Sequence, residues 1–300
     1  MKLLLIGGAQ RSGTTLLQTL IANALNAPVL PETHILCDIL TAYKRAKEYW
    51  KKTQRFYGTE DELYAFFRLF ALRHLDDIAK STSPQSVLVL KDPNFVHVRD
   101  EITAIFSDAI YIVCVRDPRD IAASFLQIGN RLSEQDASSK YRKRDVRFIS
   151  KKIMSVYLNL LQSPQRENVV LARYEEITSS PREALQALAR KTGLELSPDR
   201  IEAPEWLCAD LRHDPAWITE LEGQKPSPAH VGAFKQVMQP DEVALVEEIC
   251  APLMRWLGYE LSGVGLPTDE RLPAKKDKER TYLQRIKSRL GLRRPSTNGR

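Results

Sequence analysis

Short apolar runs alternate with longer helical patterns along most of the chain. Residues 3–6 form an apolar run that ends at two glycines, and similar runs lie at 86–90, 109–115 and 169–172. Apolar runs of about four to eight residues without polar alternation are typical of strands buried on both faces. These four segments therefore predict the central strands of one sheet.

Helical patterns fill the intervals between these strands. Residues 14–25 carry Leu and Ile at helical spacing, residues 181–192 are rich in Ala and Leu, and residues 241–257 are amphipathic. The alternation predicts an α/β fold with a central parallel sheet flanked by helices. Ligands of such sheets bind at the carboxyl ends of the strands, where we expect the functional residues.

Charge separates a folded body from a basic tail. Of the 300 residues, 43% are hydrophobic, which suffices for one large core. The net charge is +6, but residues 270–300 hold eleven Lys or Arg against three Asp or Glu, which leaves residues 1–269 at −2. A nearly neutral body argues against a nucleic-acid partner. We predict a domain over residues 1–262 and a basic appendage over 263–300.

The appendage has the pattern of a basic amphipathic helix over residues 275–294. Such a helix either lies in solvent or contacts an anionic membrane or a protein partner. No run approaches the roughly 20 apolar residues of a membrane span, and the run at 3–6 is too short for a signal peptide. The four cysteines are far apart, as in a reducing compartment. We predict a cytoplasmic protein; membrane contact through the tail and the oligomeric state stay open.

A phosphate-binding loop follows the first strand. Residues 8–15 read G-A-Q-R-S-G-T-T, which has G-x-x-x-x-G spacing between a strand and a helix. Backbone N–H groups of such a loop, together with the helix N-terminus, bind anions. The candidate nucleotide-binding residues of the loop are Gln10, Arg11, Ser12, Gly13, Thr14 and Thr15.

The loop lacks the lysine of nucleoside triphosphatases, because Thr14 occupies its position. That lysine contacts the β and γ phosphates while a metal bridges them. Here the cation is Arg11, inside the loop, which suits a nucleotide with a short acidic 5′ group and no required metal. The alternatives are a small-molecule kinase that uses ATP and magnesium, and a capped strand-to-helix turn without a ligand.

A second anion site is predicted at the end of the third strand. Arg116 follows that strand, and Ser124 comes eight residues later in the next helical segment. A bidentate cation and a hydroxyl donor suit a phosphate dianion. Arg119 is a further candidate, and an ion pair between Arg116 and Asp117 is the alternative.

The order of these motifs resembles the sulfotransferase family. R-S-G-T-T at residues 11–15 begins the resemblance, and residues 111–125 resemble the 3′-phosphate motif of that family. Residues 173–175 resemble its R-Y-E segment near the adenine, and residues 230–235 its late V-G-x-x-K element. The resemblance covers about residues 1–260.

The resemblance implies a P-loop-like sulfotransferase fold and a reaction. The enzyme would move a sulfuryl group from 3′-phosphoadenylyl sulfate (PAPS), its co-substrate, to a hydroxyl-bearing acceptor without a metal. It further implies contacts to the nucleotide from Arg116 and Ser124, from Tyr174 near the adenine, and from Ser227 and Lys235 over the 3′-phosphate.

The catalytic base is also suggested by resemblance. Cytosolic members carry K-T-H, whose histidine is the base, whereas this chain reads K-D-P from Lys91. K-D-P resembles the tyrosylprotein sulfotransferase branch, in which a glutamate after the first helix is the base, and Glu32 lies at that place. The prediction is Glu32 as base, with Arg11 and Lys91 stabilising the transition state and leaving group. His34 and His97 are the rivals, or assistants, of Glu32.

The acceptor is left open between a peptide tyrosine, a saccharide and a small alcohol or lipid. We expect its specificity to depend on the aromatic-rich residues 38–83 and on residues 129–152, predicted as a polar loop or exposed helix start. A nucleotide-binding partner protein without catalysis is the remaining alternative.

Overall fold

Four parallel strands form one sheet in the order β2-β1-β3-β4. A computed structural model describes residues 2–82, 87–135, 139–162, 169–202 and 224–263. The strands are β1 Lys2–Gly8, β2 Val87–Lys91, β3 Ile110–Val115 and β4 Val169–Arg173. All three pairings are parallel, and the four strands lie on the segments that the apolar runs predict. The predicted fold class is confirmed.

Helices lie between the strands and follow the last one. In chain order they are α1 Thr14–Leu25, α2 His34–Glu48, α3 Trp50–Tyr57, α4 Glu60–Ser81, α5 Arg99–Ile105, α6 Pro118–Glu134, α7 Val146–Gln162, α8 Tyr174–Ser179, α9 Pro181–Thr192, α10 Phe234–Val237 and α11 Pro240–Leu257. Two 3₁₀ turns matter for the site, Pro93–His97 and Lys140–Lys143.

The sheet is buried on both faces because successive side chains of a strand point in opposite directions. On one face, Leu4 and Ile6 of β1 belong to a core that includes residues of α1 and α9. On the other, Leu3 and Leu5 belong to a larger core with residues of α2 and α4 to α7, and of α11. The continuous apolar runs of the strands follow from this double burial.

The strand register brings the carboxyl ends of all four strands to one edge. Ile6 pairs with Lys91 of β2, and Gly8 pairs with Cys114 of β3. Val115 of β3 in turn pairs with Arg173 of β4. The phosphate loop, the K-D-P segment, Arg116 and the R-Y-E segment therefore start from one edge of the sheet.

Residues 129–152 include the end of α6, the 3₁₀ turn Lys140–Lys143 and the start of α7, so of the two predicted possibilities a helix start is present and a polar loop does not fill the segment. Helix α6 continues to Glu134, and α7 begins at Val146. Leu132 and Ile149 are buried, so both ends of this segment contribute apolar residues to the core. The dense charges lie on the exposed side and conceal an amphipathic pattern.

Three helices, α2 to α4, lie between α1 and β2 and include most of the segment predicted to set acceptor specificity. Within the described part of the chain, no helix is long and apolar enough to cross a membrane. The basic appendage falls almost entirely outside the described residues, so its amphipathic helix and the domain boundary at residue 262 stay predictions.

Candidate active site

The phosphate loop is held at the ends of β1 and β3 by Tyr157 of α7. The Tyr157 hydroxyl accepts from the Ala9 N–H at 3.0 Å and donates to the Cys114 carbonyl at 2.9 Å. Arg11 and Gly13 have φ angles of 71° and 98°, in the left-handed region. Such alternating backbone conformations turn consecutive N–H groups toward one side, which is the geometry of an anion-binding loop.

Tyr174 is buried against this loop at the start of α8. A Cβ added to Gly13 would lie 2.4 Å from Cδ2 of the Tyr174 ring, so only glycine fits between the loop and the ring. The Arg116 guanidinium lies 4.1 Å from the ring centroid, on the ring face. Tyr174 therefore joins the loop to the Arg116 site.

Because Gly13 lies so close to the Tyr174 ring, we expect Gly13→Ala to lower both the stability and the nucleotide affinity of the protein. An alanine at a φ of 98° is strained, and its Cβ displaces the Tyr174 ring that contacts Arg116. Gly193→Ala is the matched control, because Gly193 has a φ of 65° with nothing within 4 Å of the added Cβ. We expect thermal unfolding to show a loss of about 1–2 kcal/mol for the control and a larger loss for Gly13→Ala. Equal losses would contradict the packing argument.

Arg116 is a buried cation without a carboxylate partner among the described residues. Its Nη1 donates to the Arg11 carbonyl at 3.1 Å, and its Nη2 donates to the His230 carbonyl at 2.7 Å. Its Nε is buried without a hydrogen-bond partner in the described structure. Asp120 interacts with its charge at a distance, but a buried guanidinium that donates to no carboxylate of the described residues suits a ligand anion beside the phosphate loop. The alternative of an Arg116–Asp117 ion pair is not what the structure has.

Arg119, a further candidate for the 3′-phosphate, is neutralised within the protein. Its guanidinium contacts Asp117 at 2.7 Å and Glu247 of α11 at 2.7 Å. Glu247 is fully buried and also accepts from Ser262. Because both carboxylates are held within this network, Arg119 connects α6 to α11 and is not available to a ligand.

Ser124, predicted to bind the 3′-phosphate together with Arg116, lies beside the phosphate loop. Its hydroxyl accepts a hydrogen bond from Nε of Arg11 at 3.1 Å. Arg11 thus connects two elements to the loop. Its side chain contacts Ser124 of α6, and its carbonyl contacts Arg116. One surface therefore presents two guanidinium groups and a hydroxyl.

The late segment around residues 227–235 packs onto the start of α6. Asp120 accepts from the Gly232 N–H at 2.8 Å and from the Phe234 N–H at 3.0 Å. Ser227 caps a 3₁₀ turn through the Ala229 N–H, and the Lys235 side chain is exposed. Ser227 and Lys235 therefore lie on the segment whose His230 carbonyl contacts Arg116. Within the described residues, neither of their side chains contacts Arg116 itself.

The R-Y-E segment is mainly structural. Arg173 donates to the Leu257 carbonyl at the end of α11. Glu175 accepts from the Asp117 N–H at 2.9 Å and from the Tyr259 hydroxyl at 3.0 Å. Of the three residues, Tyr174 alone faces the phosphate loop, which is the residue predicted to lie near the adenine.

Glu32, Lys91 and Thr15 form one contact chain at the carboxyl end of β2. The Lys91 ammonium donates to Oε1 of Glu32 at 2.6 Å and to Oγ1 of Thr15 at 3.1 Å. The Lys91 side chain is 2% exposed and that of Glu32 is 23% exposed. The structure thus joins three of the predicted site residues, although they come from three segments of the chain.

The backbone before α2 is tied down, which fixes Glu32. The Thr33 N–H donates to the Lys91 carbonyl at 3.1 Å. The amide of Gln18, a fully buried residue of α1, donates to the Leu30 carbonyl at 3.0 Å. These contacts hold the residues on either side of Glu32 against α1 and β2.

His34 lies between two carboxylates. Its Nδ1 is 2.8 Å from Oδ2 of Asp92, and its Nε2 is 3.5 Å from Oε2 of Glu32. Asp92 also accepts from the Asn94 N–H, and so it orients His34 instead of pairing with Lys91 or Arg11. His97 forms no hydrogen bond or ion pair with Glu32 or Lys91, all three being described residues; burial, together with Lys44 and Lys152, lowers its pKa. Of the two histidines, His34 is the one beside Glu32.

The fold and the loop define an α/β enzyme with a phosphate-binding loop at the edge of a parallel sheet. A model described as "Sulfotransferase family" matches residues 4–198, which is more than half of the chain. The chain belongs to the sulfotransferase family. The prediction of an enzyme of sulfuryl transfer, PAPS-dependent as its family is, is confirmed at this level.

One curated relative and two solved structures illustrate the similarity. Protein-tyrosine sulfotransferase 1 of Danio rerio is 24% identical over 269 residues, which cover 87% of this chain and 73% of the relative. A sulfotransferase domain from the curacin biosynthetic pathway is 18% identical with a TM-score of 0.53, covering 87% of this chain and 98% of that one. Mouse sulfotransferase SULT7A1, complexed with PAP, is 13% identical with a TM-score of 0.51, covering 85% and 84%. The two structures share the fold.

Proposed function

We propose that this chain transfers the sulfuryl group of PAPS to an acceptor hydroxyl, with Glu32 as the general base. The observation that carries the proposal is the contact chain from Thr15 through Lys91 to Glu32 beside the phosphate loop. It puts a carboxylate, an ammonium group and a loop hydroxyl within reach of one reacting centre. PAPS supplies the sulfuryl group and a phosphate leaving group.

Lys91 is suited to neutralise charge that develops on the leaving phosphate. An ammonium group has three donors, and within the described residues Lys91 uses two of them, toward Glu32 and Thr15. The third donor remains for a ligand oxygen. Arg11 adds a second cation inside the loop. Fixed cations that face a developing negative charge lower the barrier more than mobile solvent does.

Glu32 takes the proton of the acceptor hydroxyl. A carboxylate is a weak base for an alcohol or phenol, so the efficiency of Glu32 depends on a fixed position next to the hydroxyl. The backbone hydrogen bonds at Leu30, Thr33 and Lys91 hold Glu32 in that position. His34 assists by orienting the second carboxylate oxygen.

The nucleotide is bound by the loop residues from Gln10 to Thr15 and by the surface around Arg116. Arg116 and Ser124 hold the 3′-phosphate, because Arg116 lacks a carboxylate partner in the described residues and Ser124 lies beside Arg11. Tyr174 lies near the adenine, with Ser227 and Lys235 on the late segment. The kinase alternative loses support because the loop has Thr14 in place of lysine and the chain belongs to the sulfotransferase family.

Calorimetric titration with 3′-phosphoadenosine 5′-phosphate (PAP) without metal, and separately with ATP and magnesium, tests this proposal. We expect PAP to bind about 10- to 150-fold more tightly, since hydrogen bonds from charged groups contribute roughly 1.5–3 kcal/mol. Tighter binding of ATP with magnesium would support the kinase instead.

A further inference from the structure

Lys152 of α7 carries a partly buried positive charge beside the phosphate loop. Its ammonium donates to Oε1 of Gln10 at 2.7 Å and to the Tyr141 hydroxyl. It also lies 5.1 Å from the ring centroids of Phe125 and Tyr141. No carboxylate of the described residues forms an ion pair with it. Neutral groups therefore provide all of its recorded contacts.

This arrangement leaves a charge uncompensated. Removing an ammonium group from water is costly unless an anion replaces the solvent. Burial, and to a smaller extent the neighbouring Lys140, lower the pKa of Lys152 to about 8. Arg119 of the same protein differs from Lys152, because two carboxylates pair with its buried guanidinium and neutralise the charge. Within the described residues no carboxylate compensates the charge of Lys152, so the site suits an anionic ligand.

A pocket opens next to this charge. It has a volume of about 530 Å³ and is lined by Ser139, Lys140, Tyr141 and Lys143. Tyr141 borders the pocket and also contacts Lys152, so the pocket and the buried ammonium group are neighbours. The volume falls in the range of small-molecule sites, about 300–1,000 Å³. Lys140 and Lys143 thus line the pocket, and Lys152 lies next to it through its contact with Tyr141.

The position of α7 relates this pocket to the acceptor. Helix α7 packs against the turn Pro93–His97, which directly follows Lys91 and Asp92. The charges of the nucleotide are matched by the loop and by the surface at Arg116 and Ser124. Lys152 instead reaches the loop from α7 through Gln10.

We propose that Lys152 and Lys140 bind an anionic group on the acceptor, so that the enzyme prefers hydroxyl compounds bearing a carboxylate, phosphate or sulfate. The inference rests on the proposed function, because it assumes that an acceptor hydroxyl approaches Glu32. Lys152 and Lys140, which lie outside the predicted site, would then determine which class of acceptor binds. The acidic group is bound as a pre-existing charge and takes no part in the transfer.

Matched acceptor analogues test the proposal through binding alone. The PAP-loaded protein is titrated with 4-hydroxyphenylacetate and its neutral amide, and with glucuronate and glucuronamide. We expect the acid of at least one pair to bind about tenfold more tightly than its amide, as one charge-assisted contact provides. Lys152→Met removes that preference, and Lys152→Arg retains part of it. Lys151→Met, one residue earlier on α7, is the control and leaves the preference unchanged.

The results of these titrations distinguish the proposal from a role of Lys152 in nucleotide binding and from failure of the proposed function. Equal affinity of the wild-type protein for acid and amide in both pairs overturns the proposal. So does a loss of PAP affinity in Lys152→Met that equals its loss of acid affinity, because Lys152 would then belong to the nucleotide site. Wild-type protein that fails to bind PAP contradicts the proposed function itself, and this result is separate from the acid-to-amide ratio.

The preference should also depend on pH. With its pKa near 8, Lys152 is charged below about pH 8 and neutral above it, so the acid-to-amide ratio should fall as pH rises through 8. Tyr141 stays neutral across this window, since burial raises its pKa, and His97 stays neutral because burial lowers its pKa. In Lys152→Arg the ratio should not fall in that window. An equal decline in both proteins overturns the assignment to Lys152.

Discussion

Glu32→Gln should lower kcat by about 10²- to 10⁴-fold, the range for loss of a general base, and leave the affinity for PAP nearly unchanged. The amide can still accept a hydrogen bond from Lys91, so the 2.6 Å contact is weakened without being removed. The carboxamide cannot take the proton of the acceptor hydroxyl. Single-turnover release of PAP from PAPS, together with calorimetry for PAP, measures the two quantities.

The control for this variant is Asp38→Asn, which changes an exposed carboxylate on α2, the helix that follows Glu32. It should leave kcat within about twofold, as expected for an exposed charge. His34→Gln should have an effect between the two, because the imidazole is 65% exposed and touches Glu32 at 3.5 Å. A Glu32→Gln protein with wild-type kcat would remove Glu32 from the mechanism and direct attention to the histidine.

Arg116→Ala should weaken PAP binding by about 10- to 150-fold, equivalent to roughly 1.5–3 kcal/mol. The reason is that Arg116 is 6% exposed and has no carboxylate partner among the described residues, so a bound 3′-phosphate would provide its counter-charge. Adenosine 5′-phosphate (AMP) differs from PAP only in lacking that phosphate. Its affinity should therefore fall much less, and the ratio of PAP to AMP affinity should collapse.

The AMP measurement also separates binding from loop damage. Arg116 holds the Arg11 carbonyl and contacts Tyr174, so a distorted loop would weaken both nucleotides equally. Arg116→Lys keeps the charge but loses the two-pronged geometry, and its ratio should be intermediate. Arg190→Ala, at an exposed arginine of α9, serves as the surface control. An unchanged PAP-to-AMP ratio in Arg116→Ala would refute the assignment of the 3′-phosphate.

Arg116 and Arg119, three residues apart, could not be distinguished from the sequence. Arg116 and Arg119 follow the same strand and both suit a phosphate by residue type. The structure separates them because Arg119 pairs with Asp117 and with Glu247, and Glu247 lies far away in the chain on α11. Nothing near residue 119 in the sequence signals that partner. Lys152 was missed for the same reason, since its position beside Gln10 depends on how α7 packs.

The sequence alone was sufficient for the strands, for helices such as α1, α9 and α11, and for the position of the phosphate loop. These features depend on short-range physics: buried strands need continuous apolar runs, helices need apolar residues at helical spacing, and an anion-binding turn needs glycine at left-handed positions such as Gly13. For residues 129–152 the sequence left a polar loop and a helix start both open, because charged residues on the exposed side concealed the buried Leu132 and Ile149.

Only the tertiary structure decided which charges meet. The pairing of Glu32 with Lys91, the placement of His34 between Glu32 and Asp92, and the isolation of Lys152 from any carboxylate of the described residues each join segments from different elements. Electrostatic interactions act through space and depend steeply on distance and burial, so residue types along the chain do not determine them. The order of the strands and the packing of α7 do, because they set which side chains share a low-dielectric site.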